Sequence, residues 1–212
     1  MKYFQSVLAA LLILFLFSNL SQAATSPYWS FDIKAAEFRP SSAEYSLEYS
    51  PSGLLSDLEL VYNFTPMIGV GVSVGYFSGN GIVYSTSGRA SALTQQLILI
   101  PSQFFLIYHF DFETDQLLVP YLGAGFTRVT YQHSVEGQNS ATGGLDGYHA
   151  RAGIKVLLDR IDPNSAVNLY TEWRIIHTYF VLEGQYSQVN NFGESSINLG
   201  GWSYFGGIQF DF

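Results

Sequence analysis

Hydrophobic and polar residues alternate one for one along several stretches of this chain. Between Ser56 and Phe64, Leu58, Leu60, Tyr62 and Phe64 fall on one face, with Asp57, Glu59, Val61 and Asn63 on the other. Thr65-Pro66-Met67 reads as a tight turn. Beyond it, up to Phe77, Ile68, Val70, Val72, Val74 and Tyr76 share a face, backed by Gly69, Gly71, Ser73 and Gly75. Pairing about the turn sets Phe64 opposite Ile68 and Tyr62 opposite Val70, so both apolar sets coincide. A one-residue slip would invert a whole strand, which makes this hairpin well specified.

The same period-two pattern predicts further strands. Over Tyr28–Phe38, Trp29, Phe31, Ile33 and Ala35 alternate with Ser30, Asp32, Lys34 and Ala36. Over Val119–Tyr131, Leu122, Ala124 and Phe126 alternate with Tyr121, Gly123, Gly125 and Thr127. Tyr148–Leu158 sets Tyr148, Ala150, Ala152, Ile154, Val156 and Leu158 against His149, Arg151, Gly153 and Lys155. After a DPN turn, Ala166–Ile176 places Val167, Leu169, Thr171, Trp173 and Ile175 against Asn168, Tyr170, Glu172 and Arg174. The last strand alternates Trp202, Tyr204, Gly206, Ile208, Phe210 and Phe212 with Gly201, Ser203, Phe205, Gly207, Gln209 and Asp211. Thr94–Phe110 is apolar on both faces; Phe104, Leu106 and Tyr108 are assigned outward, and Pro101 is read as the mark of a bulge that swaps face parity.

These strands number eight. Long polar connections (Arg39–Ser56, Gly79–Leu93, His133–Gly147 and about His177–Ser196) alternate with short ones. Apolar-out, polar-in strands with alternating long and short connections predict an all-β fold: an eight-stranded, antiparallel, up-and-down transmembrane β-barrel. A ten-strand reading stays open if the first or last long connection holds a hairpin. The final strand must then pair with Tyr28–Phe38, because an open edge has no hydrogen-bond partners in lipid.

Composition agrees. Lys2 precedes an apolar run from Val7 to Phe17, followed by Ser21-Gln22-Ala23, the pattern of a secretory signal over residues 1–23. The barrel domain is then 24–212. Aromatic residues at 17% against 12% charged suit strands that face lipid. A net charge of −8 argues against a nucleic-acid partner. With no cysteine, stability has to come from the strand ladder.

The charges assigned to the barrel interior are Asp32, Lys34, Asp57, Glu59, Arg151, Lys155, Glu172 and Arg174, four of each sign. An eight-stranded interior is just wide enough for side chains, so these must pair. The DPN turn can bring Arg151 across from Glu172, and Glu59 can reach Arg151 from the opposite wall. The expectation is a self-neutralised plug and not an ion path. Aromatics near strand ends read as interfacial girdles: Trp29, Phe64, Phe110, Phe210 and Phe212 below, and Phe38, Tyr76, Tyr131, Tyr148 and Trp202 above.

The chain's end, with aromatic residues at Phe212 and Phe210 and a glycine at Gly207, resembles the C-terminal sorting signal of bacterial outer-membrane barrels. The run Tyr108-His109-Phe110, a short turn, then Pro120-Tyr121-Leu122-Gly123-Ala124-Gly125 resembles the OmpW/OmpA-like superfamily of small outer-membrane barrels. The resemblance implies a monomer in the bacterial outer membrane, surrounded by lipid and handled by the barrel-assembly machinery through its last strand. OmpW-like members imply a possible small hydrophobic ligand that enters the barrel and leaves sideways. Loop-mediated surface binding is the alternative, since contact sites concentrate on long loops.

A lipid-modifying enzyme is the least favoured reading. His109, His133, His149 and His177 include no His-x-Ser pair on one strand face, and no serine is placed to complete a nucleophile–base pair. No cofactor is implied, and no cluster shows metal-ligand spacing.

Overall fold

The computed structural model describes residues 28–41, 53–84, 90–137, 139–195 and 197–212. The secretory signal read over residues 1–23, and most of the Arg39–Ser56 connection, lie outside the described residues. Eight antiparallel strands form a closed barrel in chain order: β1 (Tyr28–Pro40), β2 (Gly53–Asn63), β3 (Ile68–Tyr84), β4 (Ala90–His109), β5 (Leu118–Val135), β6 (Ala141–Leu157), β7 (His177–Val189) and β8 (Gly201–Asp211). One helix, α1 (Pro163–Trp173), joins β6 to β7.

The hairpin register is the one its pattern requires, with Tyr62 opposite Val70 and Leu58 opposite Val74. The barrel closes by β1 pairing with β8, from Ser30 opposite Asp211 to Pro40 opposite Gly201. At the seam the Phe212 N–H donates to Trp29 O at 2.8 Å. Ladder pairing thus runs round the whole wall, as a sheet in lipid requires. Outward side chains such as Ile33, Leu58, Val72, Leu106 and Leu182 are exposed, while their in-between neighbours are buried.

Four expectations are corrected. First, 166–176 is not a strand. Asp162 caps α1, accepting from the Ser165 N–H at 3.2 Å, with Pro163 at the start. Arg174 ends the helix in the left-handed conformation, φ 61°. Glu172 and Arg174 therefore lie exposed outside the barrel and not in its lumen. The seventh strand is instead His177–Val189, part of the stretch expected to be loop. Hydrogen bonds from the Ser165 hydroxyl and then its backbone N–H hold the Asp162 carboxyl below its usual range. Its folded pKa is depressed, so this cap is complete above the ordinary carboxylate range and is lost as pH falls through the lower folded value.

Second, two of the expected long connections are mostly strand. β3 runs to Tyr84 and β4 begins at Ala90, with Gly79, Asn80 and Gly81 opposite Leu97, Gln96 and Gln95. The connection after β5 shrinks similarly, since β5 reaches Val135 and β6 starts at Ala141. A spanning strand needs only about 9–11 residues, so β3–β6, at 17 to 20, extend well beyond one bilayer thickness.

Third, Pro101 makes no bulge. β4 keeps one register against β5 throughout, with Pro101 itself opposite Val129. Against β3 the same register holds on either side of the proline, from Val74–Ser102 to Phe77–Leu99. The missing N–H removes a rung without adding a residue. β4 is apolar on both faces because its inner residues Leu97, Leu99, Phe105 and Ile107 are lumen core. Fourth, Phe38 and Tyr131 are not girdle residues: Phe38 is buried in the upper lumen and Tyr131 packs against the same cluster.

Close approach across the seam constrains β8. A methyl group on the lumen-facing Gly207 would meet Lys34 Cγ at 2.7 Å and press on the Ile33 carbonyl, whereas one on lipid-facing Gly206 would find its nearest neighbour, Leu182, at 4.0 Å. Gly207→Ala should therefore cost about 1–3 kcal/mol of unfolding free energy in a urea titration of the folded barrel. Gly206→Ala should be nearly neutral. Equal effects would mean that the seam is not packed as described.

Candidate functional site

The inward residues form three layers. Lowest, Val119, Leu157 and Tyr179 pack together, and Lys155 Nζ sits 4.9 Å from the centre of the Tyr179 ring. Nearby, Asn63 Nδ2 donates to Ser30 Oγ at 2.7 Å, and Gln209 Nε2 to Asp211 Oδ1 at 2.7 Å.

The middle layer is ionic. Strand parity sends Lys34 inward from β1, Glu59 from β2, Arg151 from β6 and Glu183 from β7. Lys34 Nζ lies 2.7 Å from Glu59 Oε2, 3.5 Å from Glu183 Oε1 and 3.9 Å from Asp57 Oδ2. Arg151 Nη1 lies 2.5 Å from Glu59 Oε2 and 3.6 Å from Glu183 Oε2. Each cation thus faces both glutamates, and all four side chains are withdrawn from solvent.

Further donors complete the layer. Tyr121 OH donates to Glu183 Oε2 at 2.8 Å, and Arg151 Nη2 to Gln103 Oε1 at 2.6 Å. The guanidinium stands 3.9 Å from the Phe105 ring centre, a cation over an aromatic face. Arg151 Nη2 is also 3.3 Å from His149 Nε2. A guanidinium only donates, so that nitrogen accepts and His149 carries its proton on Nδ1, 2.7 Å from Thr127 Oγ1. Such a site can lock four strands together and block the axis.

The upper layer is apolar: Phe38, Leu55, Phe77, Leu99, Val129 and Phe205, with Leu199 against them. All of these but Phe205 line one part of a small cavity of about 30 Å³, and Gln103, Thr127, Gln185, Ser187 and Ser203 line much of the rest. Outside the same stretch of wall lies a groove of about 350 Å³. It runs along Phe104, Phe126 and the Arg128–Asp146 ion pair, and is roofed by Phe192. Phe192 is placed there by a single 3-10 turn, Asn191–Gly193, tied down where the Asp146 N–H donates to Asn191 Oδ1 at 2.9 Å.

Of the residues assigned inward from sequence, Asp32, Lys34, Asp57, Glu59, Arg151 and Lys155 are buried inside the barrel. Arg151 lies opposite Gln185 in the ladder, and its carboxylate partners are Glu59 and Glu183, not Glu172. Glu183 was hidden with its strand, although the inward parity of Asp211 was readable. The expected four-to-four balance is corrected too. Among the described residues the buried carboxylates are Asp32, Asp57, Glu59, Glu183 and Asp211, against Lys34, Arg151 and Lys155. Among those residues, no group of three or more His, Asp or Glu side chains is arranged to hold a metal ion.

No protein-family model matches the chain, and no curated protein matches it in sequence. Solved structures do. The outer membrane protein OprG from Pseudomonas aeruginosa overlays with a TM-score of 0.63 at 14% identity, over 90% of this chain and 98% of that one. The N-terminal β-barrel domain of Pseudomonas aeruginosa OprF overlays with a TM-score of 0.49 at 15% identity, over 86% of this chain and 97% of that one. The attachment invasion locus protein Ail of Yersinia pestis gives 0.49 at 11%, over 88% and 97%. The looser two carry no weight; OprG, at its low identity, speaks to the fold. The chain is a closed eight-stranded antiparallel barrel with the fold of OprG.

Proposed function

We propose that this chain is a monomeric integral barrel of the bacterial outer membrane, closed to ions at mid-height, that takes up small apolar solutes at its outer end. The observation that carries the membrane reading is the polarity inversion. Large apolar side chains cover the outside, such as Leu106 at 61% and Phe126 at 65% exposure, while Lys34, Glu59 and Arg151 are sealed inside. In water that belt would be a far larger apolar patch than a soluble monomer tolerates. In lipid it is the required surface. The last strand, through Gly207, Phe210 and Phe212, is assigned to recognition by the barrel-assembly machinery.

The solute reading is supported by the layering. Phe38, Leu55, Phe77, Leu99 and Val129 line one part of the lumen above the ions and Gln103, Thr127, Gln185, Ser187 and Ser203 another, so an apolar molecule with a polar group finds partners for both and meets a charged layer below. Gln103 and Thr127 border both the upper cavity and the outer groove. Phe104 and Phe126 are paired in a continuous β4–β5 ladder, so a solute stopped by that layer leaves sideways into lipid only when this stretch of the ladder opens. Nothing in this route calls for a chemical step.

Three outcomes are expected. Pure protein in a planar bilayer should show no large, stable conductance; a steady open channel would remove the closed-lumen reading. Arg151→Ala leaves Glu59 and Glu183 buried without their guanidinium, so unfolding should become easier by about 3–5 kcal/mol. An unchanged urea midpoint would show that the ions do not hold the barrel. Leu99→Asn should weaken binding of a small apolar fluorescent probe by roughly tenfold, the equivalent of about 1.4 kcal/mol. Undiminished binding by that variant would move the solute away from the upper lumen.

A further inference from the structure

The α1 helix is the one described element that contributes nothing to the barrel. It has 11 residues, none of them buried. At 1.5 Å per residue it is about 16 Å long, and it leaves and rejoins the wall at the end opposite the long β3–β4 extension. Its root is firm on both sides. The Leu158 N–H donates to Thr178 O at 2.8 Å, and the Ile176 N–H to Asp211 O at 2.7 Å. Asp159 accepts from the Thr178 N–H at 3.1 Å and stands 2.9 Å from His177 Nδ1.

Its side chains divide by helical period. Pro163, Ala166, Val167, Tyr170 and Trp173 follow the i, i+3, i+4, i+7 spacing of one face. Asn164, Ser165, Asn168, Thr171 and Glu172 take the opposite side. Val167 and Trp173 are 64% and 68% exposed, and the Tyr170 ring between them, itself exposed, has the Arg174 guanidinium 5.9 Å from its centre. Ile161 before the helix and Ile176 after it are exposed as well.

We infer that α1 is an interfacial anchor, its Val167–Tyr170–Trp173 face resting in the phospholipid of the periplasmic leaflet beside the barrel. The inference rests on the reading of the barrel as membrane-spanning. Three observations select lipid as the occupant. The apolar face continues a surface already assigned to lipid, since Ile176 leads directly into β7, whose Phe180 and Leu182 belong to the outer belt. Tyrosine and tryptophan are the residue types that favour the headgroup boundary. Exposed Arg160 and Arg174 flank the helix, complementary to lipid phosphate, while the nearby Asp159 and Asp162 are engaged by His177 and Ser165. An amphipathic helix of this kind lies in the interface plane without spanning it. It would fix how deep the barrel sits and stiffen the β6–β7 connection.

The chain has no cysteine, so single cysteines report without background. Val167→Cys, Asn168→Cys and Leu106→Cys would each carry an environment-sensitive fluorophore on the full barrel, in phosphatidylethanolamine–phosphatidylglycerol vesicles. The labels at 167 and 106 should be quenched by acyl-chain quenchers and shielded several-fold from aqueous iodide, relative to the label at 168. If 167 is as open to iodide as 168 while 106 is in lipid, the anchor is wrong and the barrel reading survives. If 106 is also open to iodide, the membrane reading itself fails. Shielding at 167 without lipid quenching, relieved by diluting protein in lipid, would mean a second copy covers the helix and would overturn the inference.

Discussion

The barrel depends on ions that have nowhere else to go. Lys34, Glu59, Arg151 and Glu183 come from four strands, and two of these, β2 and β6, stand on opposite sides of the wall. Taking any of them out of water is costly, and the cost is recovered only if all arrive together in good geometry. Their meeting ties the register of β1, β2, β6 and β7 to one another across the lumen, beyond what neighbouring ladders require. It also sets the sizes of nearby residues. Gly207 leaves room for the Lys34 stem, and a methyl on Gly123 would meet Arg151 Cγ at 3.0 Å.

That layer also divides the interior by function. Beneath it lie hydrogen-bonded polar pairs such as Asn63–Ser30, and above it an apolar cup. Five buried carboxylates face three buried cations, so the interior leans acidic. The excess is shared: Asp57, Glu59 and Glu183 face Lys34 and Arg151 in the ionic layer, and Asp32 and Asp211 accompany Lys155 toward the lower end, where Asp32 stands opposite Gln209 in the seam register and Asp211 accepts from that same Gln209.

Much of this was legible in the sequence wherever one face was consistently apolar. β1, β2, β3, β5, β6 and β8 are such strands, and their inward lysine, arginine and carboxylates followed from parity. Parity carried further would also have placed Phe38, two residues beyond Ala36, and Tyr131, two beyond Val129, inside the lumen. Two segments misled for a physical reason. Ala166–Trp173 alternates by coincidence at period two, but Val167, Tyr170 and Trp173 also fit a helix, and Asp162-Pro163 ahead of Ser165 is the helix-start signal that decides between them. β7 looked like loop because its lumen face mixes Tyr179, Val181, Glu183, Gln185 and Ser187. A face that packs against a polar interior gives no hydrophobic rhythm, so Glu183 stayed hidden with it.

Glu59 and Arg151 act as one unit across the lumen, and a double-mutant cycle measures that directly. Glu59→Gln, Arg151→Gln and the double variant would be unfolded in urea from the same lipid or detergent system. The coupling energy should be about 2 kcal/mol or more, with the double variant less damaged than the sum of the singles. Additivity within about 0.5 kcal/mol would contradict it.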